Sequence, residues 1–218
     1  MQTKRKNKAA GRSQRNGGRP RIVARAALPT RHGRFTILGI EGSTPEEVVV
    51  VLRHGPAKLD RGGRETPLVR IHSQCLTGDV LASQRCDCRA QLELSLRKIA
   101  AAPAGLLLYV PQEGRGIGLI NKLRAYELQD GGMDTVEANE KLGFAADSRD
   151  YRFSAQVLRL LGVRRVRLLS NSPDKVRQLE ENGIQVVERI PCRPRGSKAS
   201  RAYLETKRDK LGHFLHGS

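Results

Sequence analysis

Two segments that each read as apolar strand, glycine- or proline-bearing loop and amphipathic helix constrain this 218-residue chain more than any other feature. In the first, GLLLYV (105–110) has the unbroken apolar pattern of a buried strand, QEGRGIG makes a flexible turn, and LINKLRAYELQ (119–129) has helical spacing. In the second, RVRLLS (165–170) is the strand, NSP is a turn with Pro173 suited to a first helical position, and DKVRQLEENG is a helix ended by Gly183. IQVVERI (184–190) closes the unit as a further strand. Upstream, FTILGI and VVVVL flank the turn-rich EGSTPEE, and LVRIHS runs into Cys75, which gives three more strands. Leu92, Leu96 and Ile99 share one face of a helix over 89–101. This alternation implies an α/β fold built on a mixed sheet, with parallel strands where the units repeat. Ligands in such sheets sit at the carboxyl ends of the strands, so both loops are expected to face one site.

Charge is unevenly spread. The formal net charge is +18, yet residues 1–34 alone hold eleven Lys or Arg and no acid. MQTKRKNKAAGRSQRNGGRP cannot bury enough apolar surface to offset its ordering entropy. Residues 1–20 are therefore expected to be a disordered basic tail ahead of a globular part. Such a tail serves as a solvated extension or as a nonspecific contact to nucleic acid or another anionic surface. An Arg-rich presequence is a further reading, but the amphipathic period is missing. Aromatic residues make up 4% of the chain and tryptophan is absent, which disfavours a base-stacking surface. IVARAAL is broken by Arg25, and the run ending in GLLLYVP contains Pro103 and Pro111 and is shorter than the about 18 residues of a membrane span. A cytoplasmic protein with no membrane partner is expected.

The cysteines point to metal or chemistry rather than disulfides. Cys75 is followed after ten residues by the pair Cys86 and Cys88, with Cys192 far downstream. Thiolates are soft ligands that zinc binds at about 2.3 Å, and three of them leave a coordination place for water, as in catalytic zinc sites. On the residues alone, buried free thiols, a redox pair, or a structural site completed by Cys192 or His72 remain alternatives. In EGRGIG (113–118), glycines at alternate positions let the backbone approach an anion beside a helix N-terminus, and Arg115 adds a charged fork. SNSPDK repeats the arrangement, with Ser170 at a strand end and Lys175 in the first helical turn. There a lysine opposes the helix dipole, a cost that a nearby anion would offset. Plain turns, with Asn171 or Ser172 as a cap and Lys175 exposed, are the structural alternative. Two such loops favour a polyphosphate ligand.

In order along the chain, VRIHSQCLTGDVLASQRCDC, QEGRGIGLINKLRAYELQDGGMDTVEANEKLGFAADSRDY and VRLLSNSPDKVRQLEENGIQVVERIPC resemble the signatures of GTP cyclohydrolase II. The resemblance implies hydrolysis of GTP to formate, pyrophosphate and 2,5-diamino-6-(5-phosphoribosylamino)pyrimidin-4(3H)-one, the first committed step of riboflavin synthesis, by a homodimer. It implies that Cys75, Cys86 and Cys88 hold one Zn²⁺ per chain, whose water attacks C8 of guanine. Tyr126 matches the active-site tyrosine, Asp147 the proton acceptor and Arg149 the group acting at the α-phosphorus. Contacts to GTP, with Mg²⁺ on the triphosphate, fall on Arg70, Ile71, His72, Ser73, Gln74, Gln91, Glu113, Gly114, Arg115, Thr135, Ser170 and Lys175. A carboxylate such as Glu113 suits the N1–H and 2-amino group of guanine. The chain departs from the pattern at Gln74, where Glu is usual, at Arg89, where Gly is common, and at Ser170, where Thr is usual. The resemblance covers roughly residues 21–215 and implies one catalytic domain there, with a length that fits the monofunctional form. A paralogue with an altered product, or an inactive zinc-stabilised RNA-binding protein, are the other readings of the same residues.

Overall fold

The computed structural model describes residues 19–56 and 66–194. The tail expected over 1–20 lies almost wholly outside these residues, as do 195–215 of the expected domain. The described chain forms one seven-stranded mixed sheet. Its strands are β1 (Arg21–Thr30), β2 (Gly33–Glu41), β3 (Val48–His54), β4 (Leu68–Ser73), β5 (Gly105–Val110), β6 (Arg165–Leu169) and β7 (Gln185–Ile190), in the order β1-β2-β3-β5-β4-β6-β7. Strands β1, β2, β3 and β5 pair antiparallel, whereas β5, β4, β6 and β7 pair parallel. The two strand-loop-helix units thus build the parallel half, and the hairpins at the amino end build the other.

Helices are α1 (Cys88–Ala100), α2 (Leu119–Asp130), α3 (Thr135–Lys141), α4 (Arg152–Leu160) and α5 (Pro173–Glu181). Pro173 stands in the first turn of α5 behind the Ser172 cap, whose oxygen accepts from the Lys175 amide. The short α3 starts on a capping box. Asp134 accepts from the amides of Val136 and Glu137, and Glu137 accepts from the Asp134 amide.

Burial follows the period of two along β5. Leu106 and Leu108 join Val69, Ile71, Ala155, Leu158 and Leu179 in the larger core on the α4 and α5 face. Leu107 turns the other way and packs with Leu68, Ile99, Phe35 and Leu169 on the α1 face. A hexamer with no charged residue, in which only Tyr109 bears a polar atom, is what a strand covered on both faces requires. The segment containing IVARAAL is β1, an edge strand whose side chains are largely exposed. Its apolar residues do not alternate with polar ones and Arg25 breaks the run, which is why the sequence pattern does not resolve it as a strand. No helix among the described residues is long and apolar enough to cross a membrane.

Leu108 is fully buried in the central strand. Leu108→Ala is expected to lower unfolding free energy by about 2–5 kcal/mol, read from urea denaturation.

Candidate active site

At the carboxyl end of β4 the chain passes Cys75 and enters a single π-type turn, Leu76–Val80. Such turns are rare and recur at functional sites. Here the turn wraps Gly78 against three sulfurs. A Cβ on Gly78 would stand 2.7 Å from Cys86 Sγ and 3.1 Å from Cys75 Sγ, so only hydrogen fits. Cys88 is the first residue of α1, and the Sγ atoms of Cys75, Cys86 and Cys88 all lie within 4.8 Å of one another. Two thiolates bound to one tetrahedral zinc at about 2.3 Å stand about 3.8 Å apart. Cys75 Sγ and Cys86 Sγ are 3.7 Å apart, so the soft donor set and its spacing both fit a zinc ion. The sulfur cluster includes no His, Asp or Glu among the described residues.

The two side chains considered as a fourth ligand have other partners. His72 Nε2 donates to Asp79, 3.1 Å from each carboxylate oxygen, and its ring stacks on Tyr109. Because the carboxylate only accepts, Nε2 carries the proton. Burial lowers the pKa of His72, against the opposing pull of Asp79. Cys192 is buried beside Ser95, with sulfur and hydroxyl 3.6 Å apart. Asp79 also accepts from the Cys75 amide at 3.0 Å and the Tyr109 hydroxyl at 2.9 Å, and so ties the π turn to β4 and β5. Burial, then the Asp79 charge, raises the pKa of Tyr109.

Lys122, on α2, reaches into the cage. Its ammonium donates to Cys75 Sγ at 3.1 Å, Thr77 Oγ1 at 2.9 Å and Glu113 Oε1 at 2.7 Å. Burial alone would lower its pKa, but the hydrogen bond to Glu113 and the Cys75 charge outweigh that and raise it. The pKa of Cys75 is lowered by hydrogen bonding from the neighbouring thiols Cys86 and Cys88 and by Lys122, while that of Cys86 is raised by its bond to Cys75.

The cage opens into a cavity of about 680 Å³, counting its open mouth. The wall includes Ser73, Gln74, Glu113, Gly114, Arg115, Tyr126, Thr135 and Arg149 beside the three cysteines. Glu113 is buried, and its Oε2 accepts from the Leu76 amide at 2.6 Å while Oε1 also accepts from the Gly114 amide. Tyr126 stands 3.2 Å from Thr77 Oγ1, with the Arg85 guanidinium 4.7 Å from its ring centroid. Burial raises the Tyr126 pKa, against lowering by Thr77 and Lys122. Arg115 is held at φ +61°, and its loop is pressed onto 146–149: Ser148 N donates to Arg115 O, and a Cβ on Gly116 would meet Ser148 O at 3.0 Å. In that second loop Asp147 accepts from Arg149 Nε at 2.8 Å and from its terminal nitrogen. Burial works to raise the Asp147 carboxyl, but the Arg149 hydrogen bonds and charge prevail and hold it below the usual carboxylate range.

The remaining sequence candidates do not line this cavity. Arg70 is buried and bonds Leu169 O at 3.0 Å and Gln91 Oε1 at 2.7 Å, and Gln91 in turn bonds Asp87 just ahead of Cys88. Ile71 and His72 are interior positions of β4. Ser170 accepts from the Ser172 amide. Lys175 is buried rather than exposed; it donates to Ile71 O at 2.8 Å and lies 4.9 Å from the Tyr151 ring centroid. Burial, with Arg70 and Arg149 nearby, pushes its pKa well below the ordinary lysine value. The 170–175 loop therefore sits behind the cavity wall instead of sharing it. Arg89 pairs with Glu93 along α1. Thr77, Gly78, Asp79 and Lys122 are the residues that the sequence reading passed over. The spacing of Lys122 and Tyr126, four apart on one helix, carried the signal that they share a face.

Three cysteine sulfurs opening into a cavity with carboxylate, guanidinium and phenol groups have the make-up of a metal-centred hydrolytic site rather than a closed structural one. The chain belongs to the GTP cyclohydrolase II family, whose model matches residues 21–191. It is 53% identical over 194 residues to GTP cyclohydrolase-2 of Pseudomonas putida (strain W619), covering 89% of this chain and 93% of that protein. It is 50% identical over 200 residues to the riboflavin biosynthesis protein RibBA of Chlorobium phaeovibrioides, covering 90% of this chain but 48% of the relative. RibBA of Bacillus subtilis is 51% identical over 191 residues, again with 47% of its length covered, so the chain spans about half of the RibBA proteins it matches.

Gly78→Ala is expected to strip the cage, with metal content after gel filtration falling several-fold while far-ultraviolet circular dichroism is retained. Asp147 supplies a pH-dependent test. A folded pKa below the unfolded value of about 3.9 stabilises the protein above that value and is lost as pH falls through the folded one. Asp147→Asn should therefore flatten the loss of stability below about pH 4 in acid titrations of the melting temperature.

Proposed function

We propose that this chain is a zinc-dependent GTP cyclohydrolase II that converts GTP to formate, pyrophosphate and the phosphoribosylaminopyrimidine in riboflavin biosynthesis. The observation that carries the reading is the three-sulfur cage around Gly78, which opens into the cavity bearing Glu113, Tyr126 and Arg149. Zinc held by Cys75, Cys86 and Cys88, one ion per chain, supplies Lewis acidity and an activated water at neutral pH.

The protein's own groups orient the nucleotide around that centre. Lys122 and Gly114 N already occupy Oε1 of Glu113, and Leu76 N takes one place on Oε2. Oε2 keeps one acceptor position, enough for a single guanine N–H rather than the pair expected for a free carboxylate. Tyr126, protonated at neutral pH, acts as a hydrogen-bond donor beside the opening ring. Arg115 and Arg149 meet the phosphates, with Mg²⁺ on the triphosphate. Because Asp147 is ionised against Arg149, the guanidinium keeps its proton and serves as the cation that neutralises charge on the α-phosphate where pyrophosphate leaves. Lys175, Ser170, Arg70 and Gln91 lie one layer back and support the strand ends that carry these groups. A homodimer in the cytoplasm, with residues 21–215 as the catalytic unit and the basic tail as a nonspecific anion contact, completes the proposal.

Incubation of the zinc-loaded protein with GTP and Mg²⁺ should release formate and pyrophosphate in equal amounts, and Cys86→Ser should abolish both. Formate without pyrophosphate would point to an altered product, for which the neutral Gln74 in the cavity wall is the feature to revert. A zinc-loaded protein that releases neither product would overturn the reading.

A further inference from the structure

Tyr126 is held by a side chain that is itself held by a cation, and this fixes the direction of its hydrogen bond. Lys122 Nζ, an ammonium with no lone pair, can only donate, so Thr77 Oγ1 is the acceptor of the 2.9 Å contact between them. The single proton of the Thr77 hydroxyl is then left with two acceptors in reach. These are the Tyr126 hydroxyl oxygen at 3.2 Å and Cys75 Sγ at 3.7 Å. The sulfur already accepts from Lys122 at 3.1 Å and would give a further lone pair to a bound metal, which leaves the phenol oxygen as the free acceptor. The Thr77 proton therefore goes to Tyr126, and the Tyr126 proton is released from the protein and directed at the cavity that its side chain lines.

We infer that Thr77 and Lys122 are positioning residues that form a one-way relay, Lys122 to Thr77 to Tyr126, which makes the Tyr126 hydroxyl an obligatory donor toward the bound ring. Without the relay, the phenol proton is satisfied by Thr77 and turned away from the ligand. With it, the donor is preset for the nitrogen that gains electron density when a nucleophile adds to the purine, and no reorientation is needed during the reaction. The ring is clamped as well, since the Arg85 guanidinium lies over it and is paired with Asp130 at 2.5 Å. The π turn carries Thr77 and α2 carries both Lys122 and Tyr126, so the relay also joins the metal cage to the cavity wall.

The catalytic consequence rests on the proposed GTP hydrolysis, whereas the hydrogen-bond direction does not, and the test separates them. Thr77→Val keeps the side-chain shape and removes the hydroxyl. It should lower kcat for GTP about 10- to 100-fold, with KM and zinc content near those of the starting protein, and Thr77→Ser should restore turnover. In a Tyr126→Phe background the same Thr77→Val change should cost less than about 2-fold, because the group it acts through is gone. Independently of activity, the tyrosine Raman doublet, taken as a difference against Tyr126→Phe, should report a phenol that accepts as well as donates in the starting protein and shift toward the donor-only ratio in Thr77→Val. Loss of zinc in Thr77→Val, an undiminished effect in the Tyr126→Phe background, or a donor-only doublet in the starting protein would each overturn the relay. A starting protein inert to GTP but with the doublet of an accepting phenol would remove the functional reading and leave the relay standing.

Discussion

Convergence of three sulfurs at the carboxyl end of β4 is the constraint around which the local structure is arranged. Thiol groups this close cannot all ionise without a cation among them, and the chain supplies part of that charge through Lys122, lodged between Cys75 and Glu113. Burying an ammonium is costly unless each of its protons is bonded, and here a sulfur, a hydroxyl and a carboxylate take all three. The same ammonium holds Glu113 against the Leu76 amide, which fixes the first residue of the π turn. Metal cage, turn and cavity wall are therefore one hydrogen-bonded body.

A second set of buried cations underlies the first. Arg70 and Lys175 are both nearly inaccessible, and each is anchored on a strand carbonyl. Lys175 has its charge discouraged by burial and by its cationic neighbours. Arg70, inside β4 and behind the cavity wall, carries a charge that these low-dielectric surroundings screen little, so it favours an anion on the cavity side without touching it. The basic character of the site is thus a matter of where a few cations are held rather than of the net charge of the chain.

The fold was legible wherever a periodic signal had length. The apolar hexamer 105–110, the helix over 119–129 and the Pro173 start of α5 appear as expected because each pattern admits one geometry. The β1 strand was not legible, since its side chains face solvent on an edge and its pairing with β2 is a tertiary fact. In the site, the cysteine triplet was readable from ligand chemistry and the alternate glycines from their conformational freedom. Thr77, Gly78 and Asp79 were not, because a single π turn leaves no periodic pattern, and the spacing of Lys122 showed only that it shares a helix face with Tyr126. The place of Lys175 also escaped the pattern. A charge in a first helical turn reads as exposed or ligand-facing, and nothing local signals that a strand carbonyl and a tyrosine ring will enclose it.

The contact between the loop at 113–118 and the loop at 146–149 reaches beyond simple packing. Arg115 O accepts from Ser148, and the missing side chain of Gly116 lets the two backbones touch, so neither segment can shift without carrying the other. The first segment bears Glu113 and the second bears Asp147 and Arg149. The backbone hydrogen bond therefore ties the segment that bears the carboxylate to the one that bears the guanidinium. The spacing between the two groups is thus set by the backbone and does not depend on how either side chain is seated.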